Sequence, residues 1–162
     1  MGFETNISSY YDCIGDLIMN ETVQSMKNTR HHFWSTCYDH SVFVSYVAFC
    51  LARHLGADCA AAARAGLLHD LYLYDPRDKS CYEGNQCFAH PKAALKNAIA
   101  LCGDITPQEA NSIISHMWPL ASSMPKCREA VLVNLADKFC ATVEVFNLYP
   151  LFCRRHKVPV PV

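Results

Sequence analysis

The sequence has no CxxC pair, no apolar run long enough to cross a bilayer, and no marked excess of either charge. Each absence excludes something. Without a paired CxxC, the ten cysteines do not form a zinc ribbon or a dithiol redox centre. The longest apolar run, residues 46–52, falls far short of the roughly 20 residues that a membrane-spanning helix needs. The start, Met1-Gly2-Phe3-Glu4-Thr5-Asn6, carries no basic region followed by an apolar one, so a secretory signal is not expected. Asn6 occupies the place where a myristoylation motif wants Ser or Thr. With 14 Lys+Arg against 15 Asp+Glu, the net charge of -1 lacks the basic excess of a protein that grips a long nucleic-acid backbone. The expectation is a cytoplasmic protein with reduced thiols and no membrane partner; the oligomeric state is not legible.

What is present is a core-forming composition, 51% hydrophobic and 18% charged over 162 residues, together with eight histidines. Apolar residues recur at three- and four-residue steps from Ile7 to Ile18, which predicts a first helix. A short helix follows near residues 21–27, and residues 28–39 read as a polar loop. Residues 41–54 are so apolar that their helix must be largely buried, with Gly56 as its stop. Residues 57–69 are Ala-rich and helical, residues 74–86 form a surface loop, and Pro91 suits the first turn of a helix that ends at Gly103. Thr106-Pro107-Gln108-Glu109 has the form of a capping box opening a helix to His116. A last long helix covers residues 128–146. No stretch alternates like a strand, so the fold is expected to be all-α: a single domain, residues 1–149, of six or seven helices, followed by a Pro-rich tail at 150–162.

Chemistry concentrates at the helix ends. His40 opens the buried helix, His69-Asp70 close the Ala-rich one, His90 lies near a helix start, His116 ends a helix, and Asp137 lies inside the last one. Polar groups at such ends can enter a cavity between helices while the apolar stripes stay packed. Asp137 stands among Val131, Leu132, Val133, Leu135, Ala136, Phe139 and Cys140, and a carboxylate buried there needs a compensating cation. A metal ion is favoured over a salt bridge, because Lys138 points elsewhere on the helix. Imidazole and carboxylate ligands without thiolate suit Fe, Mn, Zn, Ni, Co or Mg and discriminate weakly among them. Cys81, Cys87 and His90 have neither suitable spacing nor a fourth ligand for a thiolate site. Cys50, Cys59, Cys102 and Cys140 read as small buried hydrophobes.

The ordered set His40, His69-Asp70, His90, His116 and Asp137 resembles the HD-domain superfamily of metal-dependent phosphohydrolases. The stretches that carry the likeness are Asp39-His40-Ser41, Gly66-Leu67-Leu68-His69-Asp70, Ala89-His90-Pro91, Ile114-Ser115-His116-Met117-Trp118-Pro119 and Leu135-Ala136-Asp137-Lys138, within residues 28–147. They look like those of small bacterial HD hydrolases. The resemblance implies an HD-type helical bundle with two divalent metal ions. One ion would be held by His40, His69, Asp70 and Asp137, and the other by Asp70, His90 and His116, with His69 and Asp70 at the catalytic centre. It implies hydrolysis of a small phosphorylated substrate, a phosphomonoester or phosphodiester such as a nucleotide. Alternatives are a di-iron HD-type oxygenase and a non-catalytic module that keeps its metals and binds a nucleotide or partner. Many family members carry Arg three residues before the first ligand, where this chain has Cys37. Arg77, Lys92 and Lys138, together with Arg30, are the basic residues nearest in sequence to the ligands and are candidates for phosphate contact; Arg77 has the strongest claim, because its loop follows His69-Asp70 and can close over substrate. His31 and His32 read as solvated loop residues, with a general-acid role as the alternative.

Overall fold

A computed structural model describes residues 3–31, 35–146 and 148. His32 and the tail expected at 150–162 lie outside the described residues. Seven α-helices account for most of the rest: α1 (Phe3–Ile18), α2 (Glu21–Ser25), α3 (Cys37–Leu55), α4 (Cys59–Leu68), α5 (Gln86–Cys102), α6 (Pro107–Ser115) and α7 (Arg128–Val145). Among the described residues there is no strand, only an isolated bridge between Arg30 and Thr36. The all-α expectation therefore holds. Among these residues no helix is long and apolar enough to cross a membrane.

α3 is the centre of the bundle, and twelve of its 19 residues are buried, including Phe43 and Phe49. α4 lies against it through Ala61, Ala62, Ala63, Ala65 and Gly66, all buried. Small residues let the two backbones approach closely. At Gly66 an added Cβ would stand 2.8 Å from the Ser45 Cα, so any side chain there would strike backbone. Tyr10 of α1 closes the other side, donating its hydroxyl to Ser45 Oγ, which in turn donates to the Ala63 carbonyl. Burying these apolar faces is the main favourable term for such a bundle, at about 25 cal/mol per Å².

Two helix starts differ from the sequence reading. α3 begins at Cys37 rather than in the forties, because Thr36 and Asp39 form a capping box inside the stretch read as loop. α5 begins at Gln86, with the Asn85 side chain accepting from the Cys87 amide, so Pro91 lies in the helix interior rather than in the first turn. The stops agree with the sequence: Gly56 and Gly103 have φ of 65° and 71°, in the left-handed half where glycine is at ease. The Thr106–Glu109 capping box is formed reciprocally at the start of α6. Of the four cysteines read as core, Cys140 is buried, while Cys50, Cys59 and Cys102 are partly exposed.

Candidate metal centre

Three of the histidines are oriented by backbone of their own helices. His69 follows the last residue of α4 and places Nδ1 2.8 Å from the Gly66 carbonyl. His116 repeats the arrangement at the end of α6, 2.8 Å from the Ile113 carbonyl. His90, in the second turn of α5, faces the Gln86 carbonyl at 2.8 Å. A carbonyl oxygen only accepts, so Nδ1 of each ring carries the proton and donates. In the neutral ring Nε2 then presents a bare lone pair.

All three lone pairs converge on Asp70. Its Oδ1 is 3.4 Å from His90 Nε2 and 3.6 Å from His116 Nε2, while Oδ2 is 3.6 Å from His69 Nε2. His90 Nε2 and His116 Nε2 stand only 2.8 Å apart. Two imidazole lone pairs at that separation repel unless a proton or a metal ion lies between them. Asp70 Oδ1 and His69 Nε2 are buried without a hydrogen-bond partner. Orphaned polar atoms are rare in protein interiors, and here Asp70 Oδ1 faces the Nε2 atoms of His90 and His116, while His69 Nε2 faces oxygens of Asp70 and Asp137.

The fourth histidine is held differently. His40 Nδ1 lies 3.1 Å from Glu144 Oε1, and its Nε2 lies 3.1 Å from Asp137 Oδ1. Glu144 is itself positioned, since its Oε2 accepts from the Ser35 hydroxyl at 2.9 Å. A carboxylate behind a histidine fixes the ring and raises its basicity toward a metal on the far nitrogen. Asp137 Oδ1 also lies 3.7 Å from His69 Nε2 and so joins the two halves.

Ligand atoms of His40, His69 and Asp137 lie within 4.8 Å of one another, and so do those of His69, Asp70 and His116. Donors around one ion at about 2.1 Å stand roughly 3.0 Å apart in octahedral and about 3.4 Å apart in tetrahedral geometry. The separations of 3.1 to 3.7 Å among these side chains match that spacing. The donor set fits a divalent cation, and the structure brings all six sequence-derived ligand candidates to one end of the bundle.

The charges tune one another. Burial opposes ionisation of Asp70, but the surrounding His69, His90, His31 and His116 hold its carboxyl below the usual range. Burial likewise opposes Asp137, and His40 and His69 bring it well below that range. Burial works against a charge on His40, yet Asp137 and Glu144 carry it up to about 10. His69 is raised too, with burial outweighed by the charges of Asp70 and Asp137. His116 is pushed down to about 4 by burial and by the neighbouring His69.

Several features depart from the sequence reading. Val131, Leu135 and Phe139, expected to bury Asp137, are exposed at 45, 54 and 43%, so Asp137 is 14% open and is compensated directly by His40 and His69. His31 is not a solvated loop residue: its ring stacks on His40 at 4.1 Å, and Nδ1 lies 3.6 Å from Asp70 Oδ2. Glu144 was missed, although its place two helical turns after Asp137 puts both on one face of α7. Arg77 is exposed and paired with Asp75 at 2.8 Å, away from the ligand cluster. Lys92 is exposed. Lys138 lines the cavity beside the cluster, with its ammonium donating to the His116 carbonyl at 3.0 Å. Cys37 is buried and turns its thiol to the Asp70 carbonyl at 3.3 Å, with its sulfur within 4.8 Å of ligand atoms of His31 and Asp70, and it adds no positive charge to the cavity.

That cavity measures about 400 Å³ and opens beside Asp70, His90, His116 and Asp137, with Arg30, His31 and Lys138 around it.

Comparison with known proteins agrees with this geometry. Residues 37–142 match the HD domain family. Ribonuclease Y from three strains of Clostridium perfringens (SM101, ATCC 13124 and 13) is 35% identical over 112 residues, covering 69% of this chain. The chain spans about a fifth of the length of those curated relatives (20%). No solved structure matches. With its helical bundle, its His-Asp pair and a match across most of its length, the chain belongs to the HD domain family.

Proposed function

We propose that this protein is a metal-dependent phosphohydrolase with two divalent ions, acting on a phosphomonoester or phosphodiester such as a small nucleotide. The observation that carries this reading is the meeting of His90 Nε2 and His116 Nε2 at 2.8 Å beside the orphaned Asp70 Oδ1, an arrangement of electron pairs that a metal ion would satisfy together and a proton only in part. His40, His69, Asp70 and Asp137 would hold one ion, and Asp70, His90 and His116 the other. A bound ion pair supplies a water of lowered pKa and positive charge for the oxygens of a phosphate.

The chain's own residues do the rest. Hydrogen bonds to Gly66, Gln86 and Ile113 keep three rings in the tautomer that presents Nε2. Asp70 and Asp137 are held ionised by the histidines around them. Glu144 holds His40 from behind. The half-buried Lys138 ammonium and Arg30 place positive charge at the cavity for an anionic substrate in a chain whose net charge is only -1. In the reaction, water oxygen bonds to phosphorus, the P–O ester bond breaks and the leaving oxygen takes a proton. The Clostridium relatives are named as ribonucleases, which act on phosphodiesters, so diesters belong in the substrate panel.

The test is release of phosphate or p-nitrophenol from mono- and diesters by protein loaded in turn with Mn, Co, Ni, Fe and Mg. Turnover that disappears in His69→Ala and Asp137→Ala supports the reading. A metal-loaded protein that turns over no ester, or that consumes oxygen instead, overturns it.

A further inference from the structure

A second cavity, of about 340 Å³, adjoins the first, and Arg30 lines both. The two are tied at another point as well: Gln86 lines the first, Tyr74 lines the second, and the Tyr74 hydroxyl donates to Gln86 Oε1 at 3.0 Å. Each is within the size range of small-molecule sites, about 300–1,000 Å³.

Their chemistry differs. The first holds the His/Asp cluster. The second is walled by Tyr74, whose ring stacks on Tyr82 with centroids 5.6 Å apart, and by the polar side chains of Ser25, Asn28 and Thr29. Its one acid and its second base, Asp75 and Arg77, neutralise each other through contacts at 2.8 and 3.0 Å. Apart from Arg30, where it meets the first cavity, that leaves a pocket without net charge, with an aromatic wall and hydrogen-bonding groups. Such a pocket suits a base and sugar, by ring contact and hydrogen bonds, better than a second phosphate.

Arg30 stands between them. Lys138 spends its ammonium on the His116 and Asn134 carbonyls, and Arg77 is committed to Asp75. Arg30 is exposed, and among the described residues its guanidinium makes no hydrogen bond or ion pair. The antiparallel bridge of Arg30 with Thr36, the capping residue of α3, fixes its backbone beside the helix that carries His40. A guanidinium at the junction with no partner among the described residues is suited to grip a phosphate in two-pronged fashion.

We infer that the substrate is a nucleoside phosphoester whose phosphate lies against Arg30 at the junction and whose nucleoside occupies the pocket walled by Tyr74. This rests on the phosphohydrolase reading and assigns its substrate contacts. Arg30 thereby supplies the cationic contact that the buried Cys37 cannot.

Two chromogenic esters separate the two contacts, since both release p-nitrophenolate: p-nitrophenyl phosphate, and the p-nitrophenyl ester of thymidine 5′-monophosphate, which adds a nucleoside. Arg30→Ala should raise KM about tenfold for both, the loss of a charge-assisted hydrogen bond, with metal content and Tm unchanged. Tyr74→Ala should raise KM about tenfold for the nucleoside ester and leave the simple ester unaffected. Unchanged KM values in Arg30→Ala, or a Tyr74→Ala effect that is absent or equal for both esters, overturns the assignment. If neither ester is hydrolysed with any metal, the phosphohydrolase reading fails, and the contact is judged by equilibrium binding of thymidine 5′-monophosphate. Arg30→Ala should still weaken that binding about tenfold, and unchanged affinity overturns it.

Discussion

The two halves of the ligand cluster are built by different means. His69, His90 and His116 take their orientation from carbonyls three or four residues back in their own helices. His40 takes its orientation from Glu144, 104 residues away, and Glu144 in turn from Ser35. The first kind of support comes with the helix. The second exists only once α3 and α7 have packed. One half is therefore robust to changes elsewhere, while the other reports on the assembly of the whole bundle.

The largest expected effect removes the basis of the comparison by moving the helices that carry both halves. Gly66→Ala puts a Cβ 2.8 Å from the Ser45 backbone, between the helix that bears His40 and the helix that ends at His69. Overpacking against backbone should destabilise the protein by about 3 kcal/mol, a Tm drop of roughly 6–12 °C by calorimetry. A Tm within a degree of the parent's would mean that α3 and α4 do not cross so closely.

Glu144→Gln addresses the non-local half alone. Loss of the carboxylate behind His40 should weaken metal affinity by about 10–100-fold, measured by competition with a chelating dye, while the protein stays folded. Its metal-free form offers a second reading through pH. The unfolded chain protonates His116 near 6.5 but the folded chain only near 4, so that contribution is present above 6.5 and is lost as pH falls toward 4. His40 runs the other way: its charge is favoured in the fold, so its contribution is present below 6.5 and is lost as pH rises toward about 10. The metal-free parent should melt highest near pH 6.5 and lose Tm on both sides. In Glu144→Gln the alkaline limb should flatten and the acidic limb persist; identical profiles would detach Glu144 from His40. The raised His40 also extends proton competition for metal well above the pH of about 6.5 that an unperturbed imidazole implies.

The smallest effect probes the local half. Asn134 donates to the His116 and Trp118 carbonyls at 2.6 and 2.8 Å, closing the end of α6. Asn134→Ala should cost about 1–2 kcal/mol by denaturant titration, with metal affinity changed less than in Glu144→Gln because His116 keeps its own Ile113 carbonyl. A larger loss of metal affinity than in Glu144→Gln would reverse the distinction between the halves.

The same distinction explains what was legible in the sequence. Helix periodicity, the glycine stops and the Thr106–Glu109 box were readable because they are local patterns, and so was the set of His and Asp residues at helix ends. The start of α3 was hidden because Thr36-Cys37-Tyr38-Asp39 caps a helix with residues that also suit a loop. The start of α5 was misplaced because proline marks a first turn only as a preference, and the Asn85 cap took precedence. Glu144 was not singled out, and His31 was read as a solvated loop residue with a general-acid role as the alternative, because spacing along the chain does not show what a side chain meets across the bundle. Their partners, His40 and Asp70, come from other elements. Arg77 drew attention by following His69-Asp70 in the chain, yet a neighbouring Asp75 engages it. Sequence proximity to a ligand picked out Lys138, which lines the cavity beside the cluster, but also Arg77 and Lys92, which do not.

The central claim is that the converging lone pairs of these histidines and carboxylates exist to hold metal. Elemental analysis of protein purified without chelator tests it most directly, with His69→Ala and Asp137→Ala measured alongside. The account predicts two equivalents of divalent metal per chain in the parent and loss of metal in both variants. A folded parent that retains no metal after equilibration with Mn, Fe, Co, Ni, Zn and Mg would contradict it.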